Sequence, residues 1–170
     1  MKLLGRVAIA VLMLAILAMW VYGLFFASKE GVNSVNDSEW KRKSEAICAS
    51  AKQERNKLVD LSLVKDAGPD ALVKRAAIVD KATATLAAMV EQIAALPVAN
   101  AKGAAIVPMW LADYRIHIAD RYDYTALLRS GVNEPFAESV SDGIPLSEKL
   151  ATFATENVLP SCKPPNDLSV

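Results

Sequence analysis

The run VAIAVLMLAILAMWVYGLFFA, from Val7 to Ala27, contains no charge and no proline. Coiled as a helix at about 1.5 Å per residue, it reaches roughly 30 Å, the thickness of a bilayer's hydrocarbon core. One helix therefore matches one crossing, with residues 1–6 as a short tail ahead of a membrane anchor at 7–27. A cleaved signal peptide is the rival, because Lys2 and Arg6 form a basic n-region. The run is longer than an ordinary h-region, however, and no A-x-A sequence closes it. Val21-Tyr22-Gly23 is a poor substitute, and no lipobox cysteine is present. These features favour a retained anchor over secretion after cleavage.

All 19 acidic residues lie beyond this run, whereas two of the 19 basic ones, Lys2 and Arg6, precede it, so the body carries a net charge of about −2. That balance offers no general nucleic-acid surface. Basic residues flank the span on both sides, Lys2 and Arg6 against Lys29 and the cluster Lys41, Arg42 and Lys43, so the positive-inside rule leaves orientation open. The cysteines lean toward export. Cys48 and Cys162 are far apart and show no C-x-x-C redox or zinc spacing. One disulfide formed in an oxidising compartment accounts for them, and closing so long a loop is worth roughly 4 to 5 kcal/mol in chain-entropy terms. Two unrelated buried thiols are the alternative.

Residues 28–38, SKEGVNSVNDS, are polar and read as a flexible linker. Asn36-Asp37-Ser38 is a glycosylation sequon, which we take as coincidence in an alanine-rich, bacterial-looking chain. Asp37 or Ser38 suits the cap of a helix from Glu39 to about Leu61, with Trp40, Ile47, Ala51, Leu58 and Leu61 on one stripe, Cys48 beside it and Arg55 interrupting it. KDAGPD then breaks the chain, and Pro69 or Asp70 opens a second helix to about Leu96. Its inward positions, Leu72, Ala76, Val79, Thr83, Leu86, Val90 and Ile93, alternate four and three residues apart.

A turn at Pro97 and Asn100 leads to a third helix ending at Gly131, with Pro108 either starting its regular part or kinking it. After a loop rich in Gly, Pro and acids, Leu146 to Leu159 forms a fourth helix with Leu150, Phe153, Ala154 and Val158 inward, stopped by Pro160. Cys162 staples the end of the body, residues 39–162, to its first helix, and KPPNDLSV, residues 163–170, reads as a loose tail. No alternating β-branched run competes. The expected fold is all-α: an N-terminal transmembrane helix, then an antiparallel bundle of about four helices with one disulfide.

The third helix contains WLADYRIHIADRYDY, with the chain's one histidine. At helical spacing Val107, Trp110, Leu111, Tyr114, His117, Ile118, Arg121, Thr125 and Leu128 share a broad face, with Asp113 and Asp120 along its edge. Two readings follow. As a site, Trp110, Asp113, Tyr114, His117, Asp120 and Arg121 line a ligand pocket, or Asp113, His117 and Asp120 hold a metal. As a seam, His117 and Arg121 cross the helix interface and find Asp or Tyr partners on neighbouring helices, because buried charge must be paired. One histidine and no free thiol fall short of a zinc set, and no loop supplies the oxygens that calcium needs. The seam is favoured and no metal is expected.

Catalytic signatures are missing: no H-E-x-x-H, no E-x-x-H pair, no C-x-x-C-H, no phosphate-cradling glycine loop and no G-x-S-x-G elbow. The reading leans away from an enzyme, nominates no catalytic residue and calls for no cofactor. WKRK, Trp40 to Lys43, is read as the solvated start of a helix in preference to a lipid-headgroup contact. Taken together, the basic N-terminus, the single span, Cys48, WLADYRIHIADRYDY, a later glycine and ENVLPSCKPPND resemble small membrane-anchored proteins of unknown function in actinobacteria. The resemblance implies a place in a bacterial plasma membrane and supplies no catalytic residue. The expected role is an extracytoplasmic interaction or structural module whose partner is another envelope protein, with a small-ligand-binding domain around Trp110, Tyr114, His117 and Arg121 as the alternative.

Overall fold

The apolar run forms one helix, α1 (Lys2–Phe25), in the computed structural model, which describes residues 2–26, 31–58 and 70–168. Its stretch Gly5–Phe25 is long and apolar enough to cross a membrane. The helix already takes in Lys2 to Arg6, expected as a separate tail, since no proline stops it from propagating back toward the N-terminus. Side chains from Gly5 to Phe26 are exposed all round. A helix apolar on every face suits hydrocarbon rather than water. Residues 1–32 and 33–170 are separate compact units; Ala27 and linker residues 28–30 lie outside the described residues.

In the second unit, Asp37 sets the first helix. One carboxylate oxygen accepts from the Trp40 amide at 2.9 Å and the other from the Ala99 amide at 2.8 Å. The first bond is the N-cap of α2 (Ser38–Asn56); the second ties that cap to a turn sixty-two residues on. These amide hydrogen bonds hold the Asp37 carboxyl below its ordinary value. The buried stripe of α2 is Trp40, Ser44, Cys48 and Arg55, so Arg55 belongs to the inward face it was expected to interrupt, while Ile47 and Ala51 are half-buried beside it. Leu61 and most of the expected break at KDAGPD lie outside the described residues.

Asp70 precedes α3 (Ala71–Ala94), which buries Ala76, Val79, Thr83, Leu86, Val90 and Ile93 as the heptad spacing requires, with Ala82 and Met89 added. Leu72, expected with them, is only half-buried. A short turn capped by Asn100, whose side chain accepts from the Gly103 amide at 2.7 Å, reverses the chain into α4 (Ala101–Arg129). Gly103 is needed there because a Cβ would meet Val98 Cγ1 at 2.5 Å and Val35 Cγ1 at 2.9 Å. Pro108 lies inside α4. It leaves the Ala104 carbonyl without its helical donor, and beside it a groove of about 290 Å³ is lined by Ile93, Leu96, Val98, Ala104, Pro108 and Leu111, among others.

The loop after α4 holds a minimal hairpin, β1 (Val140–Ser141) and β2 (Ile144–Pro145), antiparallel with Val140 opposite Pro145. Asp142 and Gly143 turn it with φ of 55° and 78°, the Asp-Gly chemistry of a tight hairpin. Helix α5 (Leu146–Glu156) then buries Leu146, Leu150, Phe153 and Ala154.

Asn157 ends α5 by side-chain bonding: its Oδ1 accepts from the Val35 amide at 2.7 Å, and its Nδ2 donates to the Asn33 carbonyl at 2.8 Å and the Phe153 carbonyl at 2.9 Å. The chain thereafter takes a left-handed step at Val158, φ 57°. Val158, expected inward, is 77% exposed, and Leu159 is fully buried in its place. A 3-10 turn at Pro160–Cys162 delivers Cys162 to Cys48, with Cα atoms 5.0 Å apart in a formed disulfide. The result is an all-α bundle with one disulfide, preceded by an apolar N-terminal helix. Its main core gathers Trp40, Leu86, Met89, Ile93, Trp110 and Phe153. A smaller cluster gathers Ala76, Val79, Tyr124, Leu128 and Leu168.

Candidate functional site

Helix α4 carries every residue singled out in WLADYRIHIADRYDY, and its 3.6-residue repeat buries all nine positions expected inward. Trp110 stacks on Phe153, centroids 4.7 Å apart, and meets Trp40 and Tyr114 edge-on. Tyr114 is fully buried, and its hydroxyl donates to the Cys162 carbonyl. Burial pushes that phenol well above its ordinary value, although the Arg55 and Arg121 charges pull the other way. Tyr114 thus holds the backbone at the disulfide from the α4 side.

The two edge aspartates turn away from His117. Asp113 pairs with Lys149 on α5 at 3.0 Å, and Asp120 accepts from the Ser139 amide at 2.7 Å and hydroxyl at 2.8 Å. The metal arrangement is therefore not assembled: among the described residues, no group of three or more His, Cys, Asp or Glu side chains is placed to hold an ion.

His117 itself is buried, edge-on to Phe136, with Nδ1 3.7 Å from Glu138 Oε2. That distance is too long for a hydrogen bond, and neither ring nitrogen has a partner. Burial first, and the Arg121 charge second, hold the imidazole below its ordinary value against the opposing pull of Glu138, Asp120 and Asp167. The ring is neutral at pH 7, so its proximity to Glu138 is not an ion pair. Glu138 is spent instead on Ser147, taking its amide at 2.7 Å and its hydroxyl at 2.6 Å, which satisfies donors in the first turn of α5.

Arg121 is the most highly organised group. It is fully buried, its Nε donates to Thr83 Oγ1 at 2.9 Å, and its two terminal nitrogens donate to the two oxygens of Asp167 at 2.8 Å each. This fork-on-fork pairing is the strongest geometry available to a guanidinium. Thr83 Oγ1 donates in turn to the Val79 carbonyl at 2.7 Å, which fixes it as the acceptor for Arg121. Arg55 approaches from α2, with Nη1 3.5 Å from Thr85 Oγ1; burial lowers its affinity for a proton, and the negative charge of Asp167 opposes that. Burial alone would raise the Asp167 carboxyl, yet the hydrogen bonds and charge of Arg121, with help from Arg55, bring it below its ordinary value.

The expected seam is thus present at Arg121, although its acid comes from the C-terminal segment and not from a facing helix, and it is not formed at His117, whose ring nitrogens make no hydrogen bond to an Asp or Tyr. The reading of residues 163–170 as a loose tail is corrected accordingly: Asp167 is paired and Leu168 is buried, with Ser169 and Val170 outside the described residues. Sequence reasoning passed over Thr83 as a polar partner, Glu138, Asn157 and Asp167. The one visible signal for the last was an acid followed by a leucine in an otherwise polar stretch. No protein-family model, curated protein or solved structure matches this chain.

Proposed function

We propose that the protein is a membrane-anchored interaction module: a disulfide-stapled helical bundle held by α1 on the outer face of a bacterial plasma membrane, where it meets another envelope protein. The observation that carries this reading is the Cys48–Cys162 disulfide on a chain that also has an apolar helix of membrane-spanning length. Disulfides persist outside the reducing cytoplasm. The envelope location implied by the actinobacterial resemblance agrees with it. The alternative, a small-ligand pocket, draws less support, since Trp110 is stacked on Phe153 and Tyr114 is fully buried with its hydroxyl donating to the Cys162 carbonyl.

The test treats intact cells with a membrane-impermeant thiol reagent before and after reduction, and then reads the mass of the purified protein. Labelling of both cysteines only after reduction, on a chain that retains α1, is the expected outcome. Labelling after lysis without reductant, and none in intact cells, would place the domain in the cytosol and end the proposal. A mass lacking the N-terminal residues would replace the anchor with a cleaved signal.

A further inference from the structure

Arg121 is a fully buried guanidinium whose carboxylate partner is brought by a short non-helical arm, residues 163–168, that turns at Asp167 and Leu168. The arm leaves the disulfide at Cys162 through Pro164 and Pro165, which have no amide hydrogen to donate to a helix or a sheet ladder. Lys163 and Asn166 on it are exposed. Its two inserted side chains fill two adjoining features: the Asp167 carboxylate lies on Arg121, with Arg55 adding to the positive potential, and Leu168 completes the small cluster of Ala76, Val79, Tyr124 and Leu128. The receiving surface is contributed by elements other than the arm. Thr83 on α3 holds Arg121 by its Nε, and α3 and α4 together supply the apolar wall. Asp167 nonetheless keeps 36% of its side chain exposed, so this half of the pairing sits at the surface.

We infer that the surface formed by Arg121, Thr83, Arg55, Tyr124 and Leu128 is a docking pocket for a peptide segment presenting an acidic residue directly before an aliphatic one, and that Asp167–Leu168 occupies it in cis. The inference rests on the reading of the protein as an interaction module and names the chemistry of its partner. A partner segment competes with the arm, which acts as a tethered plug, and binding is weak until the arm lets go.

The test uses the purified full chain in detergent and a fluorescent synthetic peptide of sequence KPPNDLSV, read by anisotropy. In the Asp167→Asn/Leu168→Ala double variant the plug is weakened, and the peptide binds at least about tenfold more tightly than to the wild type, the scale of one charge-assisted hydrogen-bonded pair. The same peptide with asparagine in place of aspartate loses about tenfold or more. Equal binding of both peptides, or no saturable binding by a double variant with native near-ultraviolet dichroism, overturns the inference.

A second measurement needs no variant. In native-state hydrogen exchange of the wild type, amides near Asp167 open about a hundredfold or more readily than those in the middle of α4. Equal protection makes the arm an integral part of the fold and also overturns the inference. Neither result depends on the compartment, so failure here is separate from failure of the thiol-labelling test.

Discussion

His117 shows how one side chain makes the protein sensitive to acid. The imidazole is held below its ordinary value of 6.5, by burial first and by Arg121 second, so the unfolded chain binds the proton more readily than the folded one. Stability is therefore complete above about pH 6.5, declines as the pH falls below it, and levels off once the pH has dropped through the folded value. Chemical denaturation between pH 7.5 and 5 should follow that slope, and His117→Phe, which keeps an aromatic ring against Phe136, should flatten it. A slope unchanged by the substitution would assign the effect to another group. Asp167 acts lower on the scale: its depressed carboxyl contributes stability above its ordinary value of 3.8 that is lost as the pH falls through the folded value.

Among the helices, the end of α5 stores the clearest strain. Asn157 closes the helix with three side-chain hydrogen bonds, and the left-handed step that follows lets the Leu159 amide reach the Ala154 carbonyl at 2.8 Å and buries Leu159. A β-branched residue at positive φ costs on the order of 1–3 kcal/mol, and the exposed Val158 side chain recovers little by burial. Val158→Gly should raise stability by about 0.5–1 kcal/mol, the strain relieved less the entropy glycine adds to the unfolded chain. A urea midpoint that falls would mean the valine packs against something after all. Helix periodicity alone placed Val158 inward, because it carries no information about where the Asn157 side chain, bonded to Asn33 and Val35, ties the helix off.

For the molecule as a whole, the staple dominates. Cys48 and Cys162 are separated by 114 residues, and opening so long a loop should cost roughly 4 to 5 kcal/mol by the chain-entropy argument. Urea unfolding of the domain with and without reductant measures this directly; a midpoint indifferent to reductant would show that the packed helices hold the ends together unaided. Tyr114 on Cys162 and Asp37 on Ala99 work to the same end, each fastening a chain terminus or turn of the bundle to a helix distant in sequence.

What the sequence determined by itself was whatever depends on local repeat: the uncharged run of α1, the heptad face of α3, and the face of α4 on which Val107, Trp110, Tyr114, His117, Arg121 and Leu128 are all buried. Residues three and four apart meet on a helix whatever surrounds it, so these were legible from spacing. The cysteine pair was legible too, because two lone cysteines in such a chain have one economical pairing. Only the tertiary structure decided what the buried polar groups on those faces meet. Arg121 finds Asp167, 46 residues away, Glu138 caps α5 in preference to bonding His117, and Arg55 turns inward toward Thr85. A buried charge must be paired somewhere, but the chain that supplies the partner follows the packing of distant segments, for which no local spacing codes.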